Sequence, residues 1–499
     1  MDITPTHQVG LVEELKSIAF KMVQNETESQ SIITQVHPNH VQSAINFIHY
    51  LTLRSHDIRD IQEKLHILGL SSFTSSESHT KAQLNKVIRW MQPDFVDHID
   101  ICDFEKATTI VQRNKINLFG KHFQVEMPHI MVTLNGADAG NFKLFENFLE
   151  AGMTVARINC AHDNEEVWLS LIETLQKATM RCGKTCKIYM DLAGPKIRIK
   201  SIWKKGSLAE AIHLTEGESL RVCCAENIPQ PWQNQSEIVL VVEPAEIIDA
   251  IHEGERIFFD DGKFEAIVKK KGEYHAQIEI INIATKKPQL KIEKGMNIPD
   301  SVLPIPALTS EDKKNLSFVC KHADLVGFSF VGNEDDLLSL QAEINQYKTQ
   351  SKPAIILKIE RLDAIKNLPV LLLTAMREER AGVMIARGDL AVEIGFERLS
   401  EIQEEILWLC EAAHVPVIWA TQVLENMNKT GYATRSEITD AAMAVKAECV
   451  MLNKGKFVSK TIHTLSNILS RQVSHFDKKR YTFRPLNIAK QFFHKANVE

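Results

Sequence analysis

Eight short, nearly continuous apolar runs rich in β-branched residues recur between positions 129 and 455. They are HIMVTL (129–134), TVARINC (154–160), CKIYMDLAG (186–194), ADLVGFSF (323–330), AIILKIE (354–360), GVMIARGD (382–389), VPVIWATQ (415–422) and ECVMLNKG (448–455). Amphipathic segments such as NFKLFENFLEAG and LSEIQEEILWLCEAAH lie between most of them. A strand with one wet face alternates polar and apolar residues, whereas a strand covered on both faces does not. Eight such strands interleaved with helices predict an α/β chain, with a parallel sheet closed into a (β/α)8 TIM barrel.

One interval breaks this rhythm. Between the third and fourth runs, stretches such as SEIVLVVEP and ERIFFDDGKFEAIVKKKGEYHAQIEII alternate at period two, with turn signals at Glu216-Gly217 and Asp261-Gly262. This predicts a small β-barrel domain inserted in a βα loop over residues 201–290. Loops on that face overlie the active site of such a barrel, so the insertion is placed as a lid. Residues 1–125 read as an N-terminal helical extension, residues 126–200 and 291–475 as the barrel, and residues 476–499 as a basic tail. His7, His37, His40, His49 and His56 in the extension show no metal-ligand spacing and are expected to be solvated or capping. The extension is expected to pack on the outside of the barrel or at a subunit interface.

Composition excludes several classes. A net charge of −6 over 499 residues argues against a general nucleic-acid binder. The amino terminus lacks a basic start followed by an apolar run, and no stretch approaches ~18 uncharged apolar residues, so neither a signal peptide nor a membrane span is expected. Nine cysteines without framework spacing predict buried reduced thiols and a cytoplasmic setting.

Polar residues gather where the strands end, which in a parallel barrel is the catalytic face. The second run ends in Arg157 and Asn159, followed by His162. Asp191 ends the third, with Lys196 and Arg198 just beyond. Lys358 and Glu360 end the fifth, Arg387-Gly388-Asp389 the sixth, and Thr421-Gln422 the seventh. Glu360 and Asp389, on adjacent strands, are suited to share a divalent cation, because Mg²⁺ takes a few carboxylates and leaves its other positions to substrate oxygens and water. Arg157, Arg198 and Lys358 place positive charge where a phosphoryl group would need it. Gly388 allows close backbone approach at the start of a helix that would bind a carboxylate.

These stretches resemble the pyruvate kinase family. AGMTVARINCAHD, DLAGPKIR, FDDGKFEA, KGMNIPD with LPIPALTSEDKKNL, GFSF, ILKIE, GVMIARGDLAVEIG, PVIWATQVLENM and TRSEITDAAMAV occur in the family's order over roughly residues 128–470. The resemblance implies phosphoryl transfer from phosphoenolpyruvate to ADP, giving pyruvate and ATP. It implies Mg²⁺ or Mn²⁺ on Glu360 and Asp389, with Lys358 against the transferring group. Thr421 would lie near the water-relayed proton donor, and Arg157 would clamp the phosphoryl group. Asn159, His162 and Arg198 would face the nucleotide phosphates. Asp261 and Lys294 would close the lid over the nucleotide, and the Arg387-Gly388-Asp389 backbone would hold the carboxylate.

Departures accompany the resemblance. Ala161 stands where many members carry a K⁺-binding Ser, while Leu192 and Lys196 match members that work without K⁺. An ammonium supplies the charge K⁺ would have supplied, so K⁺ is not expected to be required. Leu134-Asn135-Gly136-Ala137-Asp138 replaces Ile-Gly-Pro-Ala-Ser, Ala193 replaces a Lys or Gln, and Leu452-Asn453-Lys454-Gly455-Lys456 replaces Leu-Ser-Gly-Glu-Thr. The C-terminal domain that carries effectors in many members is not expected here. Two other readings stand beside phosphoryl transfer: a Mg²⁺-dependent lyase or aldolase on the same barrel, and a non-catalytic protein whose helical extension binds a partner. A homo-oligomer is left open.

Overall fold

The computed structural model of the chain describes residues 5–96, 101–122, 126–224, 238–243, 246–301, 305–347, 351–473, 475–477 and 480–481. Eight parallel strands close into a barrel: β1 (His129–Thr133), β2 (Val155–Asn159), β3 (Lys187–Asp191), β4 (Leu325–Phe328), β5 (Ala354–Ile359), β6 (Ala381–Ala386), β7 (Val417–Ala420) and β8 (Cys449–Leu452). Seven lie inside one of the eight apolar runs, and β6 starts one residue before its run, at Ala381. Their registers bring Asn159 of β2 opposite Asp191 of β3, and Ala386 of β6 opposite Ala420 of β7.

Alternate strand residues fill two cores, as a pleat of period two requires. Met131, Val155, Tyr189, Ile356, Met384, Ile418 and Met451 point inward, while Val132, Ala156, Leu357, Val383 and Val450 meet the surrounding helices. Capping boxes start three of these helices, at Thr309 with Asp312, Asn333 with Asp336, and Thr434 with Glu437. Asp312 also reaches outside its helix. Its carboxylate accepts the Ala193 N–H at 2.9 Å and so fixes the loop after β3.

The inserted segment forms an eight-stranded, mostly antiparallel sheet running from Arg198–Lys204 to Met296–Asn297, around its own core of Ile199, Val222, Leu240, Phe259, Phe264 and Ile278. Its turn at Asp260, Asp261 and Gly262 has φ of 52°, 56° and 83° in succession. Asp tolerates this left-handed region better than most residues, and Gly262 also serves close approach. A Cβ at 262 would lie 3.3 Å from Phe396, so the turn rests against the barrel just beyond β6.

The helical extension packs under and beside the barrel. Helix Phe104–Phe119 places Leu118 and Phe119 in the inward core, and Lys115 donates to the Met127 carbonyl at 2.9 Å. Helix Val41–Arg54 lies along helix Leu399–Ala412, with Asn46 donating to the Ala412 carbonyl at 2.8 Å. Two of the histidines expected to be solvated or capping are instead buried partners. His40 bonds the Glu379 carbonyl at 3.0 Å, and His49 meets Glu26 at 2.8 Å. His37 caps, accepting from Asn39 N, and the His7 side chain lies outside the described residues. All nine cysteines are free. No helix among the described residues is long and apolar enough to cross a membrane. Of the basic tail, Phe476–Asp477 pairs with Arg480–Tyr481, and residues 482–499 lie outside the described residues.

Candidate active site

The C-terminal ends of β2, β3, β5, β6 and β7 meet at a cavity of about 150 Å³. Arg157, Asn159, Asp191, Lys196, Arg198, Lys358, Glu360, Asp389 and Thr421 all line it. A parallel barrel aims its strand ends at one axis, so residues up to 264 positions apart converge.

Two buried cations share one buried carboxylate. Arg157 donates to Asp191 Oδ2 through Nε at 2.9 Å and Nη2 at 2.5 Å, and to Thr133 Oγ1 through Nη1 at 3.0 Å. Lys358 Nζ lies 3.3 Å from Asp191 Oδ1 and 3.0 Å from Glu360 Oε1, and donates to Ser329 Oγ at 2.7 Å. Burial alone would raise the Asp191 carboxyl, but the charges of Lys358 and Arg157 outweigh it and hold the group below the usual carboxylate range. Burial likewise disfavours the Lys358 ammonium, yet Asp191 and Glu360 leave it raised and firmly charged.

Thr133 and Ser329 were missed in the sequence. Thr133 ends β1 and Ser329 directly follows β4, so the rule that exposed the other strand ends would have found both. Ser329 Oγ donates its own hydrogen bond to the Leu192 carbonyl at 2.6 Å, which ties β4, the loop after β3 and Lys358 together. Gly194, at φ +65°, leaves Ser329 room, since a Cβ there would lie 2.8 Å from Ser329 Cβ. Phe330 follows with φ +58° and donates its N–H to Glu360 Oε2 at 2.7 Å.

Asp389 sits in the first turn of helix Arg387–Ile394, as the strand-to-helix pattern of GVMIARGDLAVEIG predicted. Arg387 turns away from the cavity. It is anchored by Asp440, by the carbonyls of Ala420 and Thr421, and by the face of Trp419 at 4.9 Å. The Gly388 N–H donates to Thr421 Oγ1 at 2.9 Å, so this backbone group is already engaged.

Glu360 and Asp389 suit a divalent cation. Burial raises the Glu360 carboxyl despite Lys358, and the negative charges of Asp389 and Asp191 raise it further. A divalent ion between two such carboxylates would relieve that repulsion. Among the described residues no three His, Cys, Asp or Glu side chains converge into a complete cage. Two carboxylates beside an open cavity are the donor set that Mg²⁺ takes when substrate completes its shell.

The inserted-domain residues divide. Asp261 reaches across to Lys196 Nζ at 3.6 Å. Lys294 turns instead to Asp260 at 2.8 Å, within the inserted domain. Arg198 donates to the Glu293 carbonyl at 2.9 Å while still lining the cavity. Lys196 places its ammonium 2.9 Å from Asp389, not beside Asp191, although all three line the cavity. Burial opposes that charge, and Asp389 and Asp261 outweigh it. His162 lines an adjoining cavity of about 310 Å³ with Arg157 and Asn159. Its imidazole is held low by burial first, then by the charges of Lys454 and Arg198.

With this geometry in view, comparison with known proteins is decisive on one point. The family described as pyruvate kinase, barrel domain, matches residues 126–461. The chain belongs to the pyruvate kinase family. The pyruvate kinase of Staphylococcus saprophyticus is 30% identical over 335 residues, covering 65% of this chain and 54% of that protein. That of Geobacillus stearothermophilus is 31% identical over 353 residues, covering 68% and 56%. That of Staphylococcus haemolyticus is 32% identical over 339 residues, covering 65% and 54%. The chain thus spans about half the length of the curated relatives it matches. Its departures from the family pattern at the first and eighth strand ends lie around the adjoining cavities, whose linings include Asn135, Asp138, Asn453, Lys454, Gly455 and Lys456.

Proposed function

We propose that this barrel transfers a phosphoryl group from phosphoenolpyruvate to ADP, forming pyruvate and ATP. The observation that carries the reading is the convergence of Lys358 and Arg157 on one small cavity with Glu360 and Asp389. Phosphoryl transfer asks a protein chiefly for positioned positive charge and a dry site. Arg157, locked by Asp191 and Thr133, presents a rigid guanidinium to the transferring group. Lys358, locked by Asp191, Glu360 and Ser329, presents an ammonium beside it. Mg²⁺ or Mn²⁺ held by Glu360 and Asp389 would add Lewis-acid charge on the phosphoryl oxygens.

The phosphorus–oxygen bond to the enol breaks as a new one forms to the terminal oxygen of the diphosphate. The enolate left behind takes a proton at carbon. Thr421 is placed to order the water that delivers it, because its oxygen already accepts the Gly388 N–H and its own proton remains to donate. Asn159, His162 and Arg198 face the nucleotide phosphates, and the lid turn at Asp261 closes over them. The carboxylate of the organic substrate would lie against the Arg387-Gly388-Asp389 turn, whose Gly388 N–H Thr421 already holds.

K⁺ is not required in this reading. Asp191 is neutralised by Arg157 and Lys358, and Asp389 by Lys196, so the cavity already carries fixed cations. An aldolase or lyase needs no phosphoryl clamp, and the doubly anchored Arg157 favours transfer. A lactate dehydrogenase-coupled assay tests the proposal. Pyruvate should form only with phosphoenolpyruvate, ADP and a divalent cation together, and Glu360→Gln should raise the divalent-ion concentration needed for half-maximal rate. Pyruvate formation that needs no ADP would overturn it.

A further inference from the structure

The loop after β8 is built around Asn428. Asn428 Nδ2 donates to the Asn453 carbonyl at 2.5 Å, Asn453 Nδ2 donates to Glu425 Oε2 at 3.1 Å, and Phe457 N donates to the Asn428 carbonyl at 3.0 Å. Gly455 packs so closely that a Cβ there would stand 2.6 Å from the Asn428 side chain and 2.7 Å from its carbonyl oxygen. Both contacts lie under the distance real side chains tolerate, and the carbonyl cannot swing away without breaking the bond to Phe457. A side chain at 455 therefore means moving the loop. Three hydrogen bonds and one glycine hold Asn453-Lys454-Gly455 in a single arrangement.

Lys454 is presented from that fixed loop. It lines the 310 Å³ cavity with Arg157, Asn159 and His162. It also lines a neighbouring cavity of about 470 Å³ with Asn135, Asp138 and Lys456. Lys454 thus stands on the wall common to both spaces. No ion pair engages it among the described residues, in contrast to Lys429, which lines the first cavity but is held by Glu425 at 2.7 Å. Lys454 is also close enough to His162 for its charge to hold the imidazole down, second only to burial. Arg157 lies in β2 and His162 follows it, Arg198 opens the inserted domain, and Lys454 follows β8. Arg157, His162 and Lys454 thus share the cavity beside the reaction site, which Arg198 lines, with Asp163 and Glu425 also on its wall and Glu425 held by Lys429.

We propose that Lys454 is a nucleotide-binding residue of this chain, contacting a phosphate of the nucleoside diphosphate from the strand 8 side. The assignment rests on the reaction proposed above and adds to it a specific cation. An ammonium held on an anchored loop gives a charge-assisted contact without first having to order the backbone beneath it. Phosphoenolpyruvate, bound by Lys358 and Arg157 at the barrel axis, does not extend into the adjoining cavity.

The test compares wild type, Lys454→Gln and Lys454→Arg by steady-state kinetics and by calorimetric titration with Mg²⁺-ADP. Lys454→Gln should raise KM and Kd for ADP about tenfold, the usual effect of losing one charge-assisted phosphate contact. KM for phosphoenolpyruvate should stay within about twofold, and Lys454→Arg should recover most of the loss. The His162 imidazole, followed by NMR, should titrate higher in Lys454→Gln. Unchanged ADP affinity in Lys454→Gln would overturn the assignment alone, as would equal weakening toward both substrates, which marks a distorted loop. A wild type that binds no ADP would overturn both the assignment and the reaction on which it rests.

Discussion

Replacing Lys358 by Met removes one ammonium and leaves its methylene stem's volume nearly filled. In the wild type that ammonium lies 3.0 Å from Glu360 and 3.3 Å from Asp191. Both carboxylates are almost wholly buried, at 3% and 1% exposure. At an effective dielectric of about 20, each contact is worth roughly 5 kcal/mol before desolvation. The net loss is smaller, because the wild type also bears the cost of burying the ammonium. Breaking one side of such a buried cluster costs about 3–5 kcal/mol, since the remaining charges keep their burial and lose their partner. Asp191 would retain Arg157, while Glu360 would retain, among the described residues, the Phe330 N–H. In wild type the Asp191 carboxyl is depressed on folding. Its contribution is therefore present above the unfolded value of about 3.9 and is lost as pH falls through the lower folded value. Without Lys358 that depression shrinks and Glu360 rises further. The stability deficit of the variant should accordingly be full at pH 7 and narrow toward pH 4. Urea denaturation of both proteins, followed through the buried Trp419, reads this directly. Turnover should fall by at least about 10²-fold, the usual effect of losing a positioned charge at a developing transition state. Equal urea midpoints at pH 7, or a deficit that does not change with pH, would refute the electrostatic account of this cluster.

Three other expectations follow from particular contacts. Burial pushes the Glu393 carboxyl up to about 7, against the Asn297 amide and Arg361. Its folded value lies above the unfolded value of about 4.3, so its stabilisation is complete below that value and is lost as pH rises through 7; Glu393→Gln should flatten this slope in melts between pH 5 and 8. Wild-type rates should be equal with and without K⁺, whereas Lys196→Glu puts a third carboxylate beside Asp389 and Asp261 and should give an enzyme slowed at least about tenfold and partly restored by K⁺. Phe119→Ala should cost about 3–5 kcal/mol in denaturant titrations, because this helix residue belongs to the barrel's own inward core.

Much of the barrel was legible because its strands are buried on both faces and carry almost no polar interruption before their ends. The same property exposed Arg157, Lys358, Glu360 and Asp389, since a charge at the end of an apolar run needs a partner or a ligand. What stayed hidden were pairings across the chain. Nothing in the spacing of Lys196 reveals that it reaches Asp389, 193 positions away, or that Lys294 prefers Asp260 to the cavity. Such partners depend on how the lid sits over the strand ends, and a one-dimensional pattern does not encode that placement. His40 and His49 were misjudged for a related reason. A histidine on a helix looks solvated until the element that buries it is known. Leu118 and Phe119 carry no signal of their own within the helical extension, and barrel closure is what makes them part of its inward core. Thr133 and Ser329 could have been found, since short hydroxyl side chains at strand ends are weak signals alone but strong ones beside an arginine or lysine.

The most direct measurement follows phosphorus itself. Wild-type protein is incubated with phosphoenolpyruvate, ADP and Mg²⁺ in K⁺-free buffer and monitored by ³¹P NMR. The account predicts that the enol-phosphate resonance decays as the γ-phosphate of ATP appears in equal amount. Release of inorganic phosphate in place of ATP, or a phosphoenolpyruvate signal that never changes, would contradict it.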